Sequence, residues 1–104
     1  MLISNSKIAV GDIASFKLTN GDEIVAKVTS LDGEHYTLSK PTLVVPSQQG
    51  IGLIQAMFSV DPEIDIQVAK SHVMIAAPTF DKLQSHYIQV TTGIQTVSKG
   101  SIIA

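Results

Sequence analysis

An all-β domain with one short helix after the strands is what this sequence predicts, and three observations carry the prediction. Apolar and polar residues alternate through residues 16–40, FKLTNGDEIVAKVTSLDGEHYTLSK, as they do in strands with one buried face. The turn dipeptides Asn20-Gly21 and Asp32-Gly33 interrupt that alternation where hairpins need them. After Pro78 the apolar spacing changes to that of a helix. Five short, strongly bent antiparallel strands joined by hairpins make a small barrel the expected architecture, in one domain of 104 residues.

In IASFKLT, Ala14, Phe16 and Leu18 alternate with Ser15, Lys17 and Thr19. The second strand, about residues 22–31, sets Ile24, Ala26 and Val28 on one face and Glu23, Val25, Lys27 and Thr29 on the other. The third runs from about Glu34 to Val45 with Tyr36 and Leu38 inward. Pro46, Gly50 and Gly52 mark PSQQGIG as a loop, and LIQAMFSV after it is short enough for a strand that Asp61-Pro62 breaks. EIDIQVA then alternates, with Ile64, Ile66 and Val68 inward. Lys70-Ser71 makes a turn, and HVMIAAP returns with Val73, Ile75 and Ala77 inward. These two are the fourth and fifth strands. Beyond Pro78, Thr79 is the expected N-cap, Asp81 suits the first turn, and Phe80, Leu83, Tyr87 and Ile88 share a face of a helix over residues 80–89. The tail VTTGIQTVSKGSIIA mixes β-branched residues with turn formers, which suits an extra strand docked on a neighbour or a loosely held end.

Composition narrows the function classes. Charged residues make up only 15% of the chain, against about 25% in typical domains, and the mean hydropathy is +0.28. A small domain has much surface to cover, so burial of some of it against copies of itself is the simplest remedy. All seven basic residues are lysine and the net charge is −2, which argues against a nucleic-acid footprint spread over the whole surface. The absence of cysteine fits a reducing compartment, and no signal peptide or membrane helix is expected, so a cytoplasmic protein is the expectation. His35, His72 and His86 lack metal-site spacing, Gly50-Ile51-Gly52 lacks the phosphate-cradle pattern, and Asp61-x-Glu63-x-Asp65 lacks the rest of a calcium loop. Neither an enzyme nor a metal or other cofactor site is expected.

One hairpin is more specific than the rest. Written as Phe16-x-Leu18-x-Asn20-Gly21-x-x-Ile24-x-Ala26-x-Val28-x-x-Leu31-Asp32, it resembles the first signature of the Sm and Sm-like RNA-binding proteins. Ala26 stands where that family usually has its second glycine. The run VAKSHVMIAAP, residues 68–78, is similar to the turn between the last two strands of the bacterial members, with Lys70 at the basic position and Ser71 in place of histidine. The resemblance spans about residues 10–78, with the helix and tail, 79–104, placed after the barrel. The helix and YIQVTTGIQ are similar to small Sm-like proteins of marine T4-like bacteriophages.

The resemblance implies a homo-oligomeric ring closed through the edge strands, which would account for the low charge. It also implies single-stranded RNA bound near the pore, by Lys70, Ser71 and His72 of one turn and Asp32, His35 and Tyr36 of the other. In that pattern Asp32 braces its loop, and the family's base-reading asparagine falls on Tyr36. The alternatives are a ring that serves as a structural or protein-interaction module without RNA, and a monomeric barrel that binds a ligand.

Overall fold

The computed structural model describes residues 7–48 and 50–101, with only the backbone described for 93–101. The first three strands follow the alternation closely: β1 is Ile13–Leu18, β2 Glu23–Leu31 and β3 His35–Ser47. Then come β4 (Gly50–Gln55), β5 (Ile66–Ala69), a 3₁₀ turn at Lys70–His72, β6 (Val73–Pro78) and α1 (Asp81–Ser101). All pairings are antiparallel, giving one six-stranded sheet in the order β4-β3-β2-β1-β6, with β5 also on β3. β5 and β4 share the edge of β3 away from β2. β5 pairs with residues 35–38, before the kink at Lys40, and β4 with residues 42–47, after it. Lys40 marks that kink with a φ of 45°, rare for a residue with a Cβ.

The sheet buries both faces. Ala14, Phe16, Ile24, Ala26, Val28 and Leu38 form one core cluster, as alternation predicts. Val25 points the other way and is also fully buried, packed with Leu53, Leu83 and Tyr87 beneath the helix. Covering the second face needs more than apolar contact, because the β2–β3 register shifts between Val25 and Lys27 and the ladder is broken there. The Tyr87 hydroxyl fills the gap. It accepts from the Lys27 N–H (3.2 Å) and donates to the Ser39 carbonyl (2.8 Å), with the Lys40 carbonyl at 3.1 Å. Burial pushes this phenol up to about 12, and the Lys27 N–H pulls only slightly against it.

Several expectations are corrected. There are six strands, not five, and among the described residues no ladder joins β6 back to β4 or β5, so the sheet is open, not a closed barrel. The stretch read as a loop, residues 46–52, is largely strand: β3 runs through Pro46 to Ser47 and β4 starts at Gly50, whose φ is 115°, while residue 49 lies outside the described residues. Ile64 precedes β5 and is exposed. Val73 faces inward as expected, but Ile75 is exposed, because a shift between Lys17 and Leu18 pairs Leu18 with Val73 and skips Met74, so that Ala76 turns inward in its place. Thr79 does not cap α1: its hydroxyl bonds that of Ser15 (2.8 Å), and the Phe80 carbonyl accepts the first helical bond, from Gln84. Phe80 and Ile88 are exposed, and the buried stripe is Leu83, Tyr87 and Thr91. The helix runs on to Ser101, so the tail is not a strand up to that residue. Residues 102–104 lie outside the described residues.

Candidate nucleic-acid interface

Two turns distant in sequence meet at one corner of the sheet. The first closes the β2–β3 hairpin. Asp32 Oδ1 accepts the backbone N–H groups of Glu34 (2.7 Å) and His35 (2.8 Å), while the Asp32 N–H donates to the His35 carbonyl (3.0 Å). This is the side-chain-braced turn that aspartate forms readily. Those two N–H groups hold the Asp32 carboxyl below the ordinary 3.8, with smaller electrostatic help from the nearby His35 and Lys70. His35 Nδ1 lies 3.8 Å from the same carboxylate oxygen.

The second turn is Lys70–His72, between β5 and β6. β5 runs beside the start of β3, pairing Ala69 with His35 and Val68 with Tyr36, and the Lys70 N–H donates to the Glu34 carbonyl (2.8 Å). Backbone pairing therefore fixes the lysine beside the aspartate turn. Its ammonium sits 5.0 Å from the centroid of the Tyr36 ring, within cation–π range. Tyr36 is half-buried and also packs on Phe16, with ring centroids 4.8 Å apart and planes at 59°. The far end of the Lys70 turn is tied elsewhere: the His72 carbonyl accepts the Thr19 N–H (2.9 Å).

Of the residues singled out in the sequence, Asp32, His35, Tyr36 and Lys70 come together. Ser71 and His72 are exposed on the adjoining turn. Sequence reasoning missed Glu34, whose carbonyl fastens the two turns and whose exposed side chain adds a second acid near the lysine. No side-chain pattern signals it, because a backbone carbonyl makes the bond.

The corner brings together one lysine, one histidine, one aspartate and an aromatic ring. Among the described residues, no three His, Asp or Glu side chains gather as a metal site. Also among them, no helix is long and apolar enough to cross a membrane. Compared with protein-family models the chain matches none, and no curated protein matches its sequence either.

Proposed function

We propose that this chain is an Sm-like protein: copies of it close into a ring, and the corner of Asp32, His35, Tyr36 and Lys70 binds single-stranded RNA near the pore. The observation that carries the reading is the fastening of Lys70 to the Asp32 turn through Glu34, which joins the two segments that resemble the family's signatures. The strand order supports it. β6 lies on β1 and β5 on β3, each with one edge facing no other strand among the described residues, so β5 of one copy can pair with β6 of the next. Repeated around a ring, one Lys70 per subunit makes a circle of positive charge that a chain of net charge −2 otherwise lacks.

Light scattering on the eluting protein should return a multiple of 11.1 kDa. Fluorescence titration with short U-rich and A-rich RNA at low salt should show binding tighter than about 100 μM, since electrostatic attraction is strongest there. Lys70→Ala should weaken that binding and flatten its salt dependence, by about 0.7 in log–log slope for each phosphate the lysine had neutralised. Failure of both RNAs to bind would overturn the RNA role.

A second reading, a ring that holds proteins and not RNA, is favoured by one observation. Asp32 and Glu34, both exposed, flank the lysine and repel phosphate. Partners captured from extract that persist after RNase treatment would favour it over the first.

A further inference from the structure

We infer that the free edge of β4 is a second assembly surface, on which two copies of this chain pair antiparallel about a two-fold axis at Leu53. The Ala56 N–H donates to the Pro41 carbonyl (3.1 Å), in register with the Thr42–Gln55 pair of the β3–β4 ladder. Hydrogen-bonded and non-bonded pairs alternate along such a ladder. Gly50, Gly52 and Ile54 therefore turn their backbone groups toward β3, and Ile51, Leu53 and Gln55 turn theirs away. No described strand lies on that outer side.

The outer edge is complementary to itself. A two-fold axis at Leu53 sets Leu53 against Leu53 of the second copy and Ile51 against its Gln55, in both directions. Every outward N–H and C=O of these three residues then finds a partner. On the opposite face the same register lays Ile54 over Gly52 of the other copy, which carries no side chain of its own to meet it. Ile51 and Ile54 are both about half exposed, at 47% and 44%.

Charge selects the occupant. Residues 41–60 contain no Asp, Glu, Lys, Arg or His, so the hairpin and the loop after it, with exposed Met57 and Phe58, lack the charges that usually keep edge strands apart. An uncharged, apolar edge fits an uncharged, apolar partner, and a second copy supplies one in matching register. β4 lies beyond the kink at Lys40 from β5, so this pairing uses a different edge from the β5–β6 contact and does not depend on RNA binding.

Native mass spectrometry of the full chain and of Ile54→Lys tests the inference. The wild type should contain an even number of chains. The variant, shown to be folded by circular dichroism, should have half the mass, because two lysines then face two apolar contacts across the axis. An odd number of chains in the wild type, or an unchanged mass in folded Ile54→Lys, overturns it. A second variant guards against a misfolded first. The chain has no cysteine, and residues in hydrogen-bonded antiparallel pairs have Cα atoms about 5.5 Å apart, a span a disulfide bridges. Ile51→Cys with Gln55→Cys, treated with oxidised glutathione, should run as a covalent pair of chains without reductant. Persistence as single chains overturns the pairing. RNA titration of Ile54→Lys separates the two proposals: unchanged binding with unchanged mass sinks the β4 contact and leaves the RNA reading standing.

Discussion

The fold alters the chemistry of Asp32 and of Tyr87, and each makes a prediction in pH. Asp32 is ionised more readily in the folded chain than at its ordinary 3.8, because two N–H groups point at the carboxylate. Its bracing is complete above 3.8 and is lost as pH falls through the lowered folded value. Amide resonances of Glu34 and His35 should therefore titrate with a midpoint below 3.8, and Asp32→Ala should expose both amides to rapid exchange at neutral pH. Tyr87 moves the opposite way. The unfolded chain ionises near 10 and the folded one near 12, so stability falls as pH rises from 10 to about 12. Each pH step of one across that window removes about 1.4 kcal/mol, so the full loss approaches about 3 kcal/mol. Tyr87→Phe should abolish most of that alkaline slope. At neutral pH it should cost about 1–3 kcal/mol in denaturant unfolding, since the Lys27 N–H and the Ser39 carbonyl lose their partner.

Helix α1 shows how an element is read wrongly when its face is judged from spacing alone. Phe80, Leu83, Tyr87 and Ile88 fit one stripe in the sequence, yet only Leu83 and Tyr87 meet the sheet, against Val25 and Leu53. Leu83→Ala should destabilise the protein by about 2–5 kcal/mol, whereas Phe80→Ala should stay within about 0.5 kcal/mol, both read from chemical denaturation. Strand β6 carries the same lesson, because one skipped residue at Met74 reverses the face of everything beyond it. The hairpins of β1, β2 and β3 were legible because their turns are encoded by residues with special backbone preferences. The β3–β4 hairpin was not, since Pro46 and two glycines signal a loop as readily as a strand on an edge.

For the molecule as a whole, the edges of the sheet matter more than its interior. β6, β5 and β4 each end a ladder, and in the proposed assembly all three are paired by copies of the chain. Such contacts are made of backbone hydrogen bonds and apolar side chains, which salt does not screen, whereas a lysine–phosphate contact is screened. Raising the salt from about 0.05 to 0.2 M should therefore weaken RNA binding several-fold while leaving the assembled mass unchanged. A mass that fell in step with RNA affinity would show that RNA, not strand pairing, holds the copies together.

Local chemistry alone dictated the antiparallel strands between residues 13 and 45, the turns at Asn20-Gly21, Asp32-Gly33 and Lys70-Ser71, and the inward face of Ala14, Phe16, Ile24, Ala26, Val28 and Leu38. Those features depend on neighbours within a few residues, which a linear reading contains. Long-range pairing settled the rest: which second face of β2 is covered, where the register slips, which face α1 presents, and that Lys70 stands beside Tyr36. Each of these depends on atoms brought together from distant parts of the chain, such as the Tyr87 hydroxyl at Lys27 and the Lys70 N–H at Glu34. No residue type announces such a bond before the chain has folded back on itself.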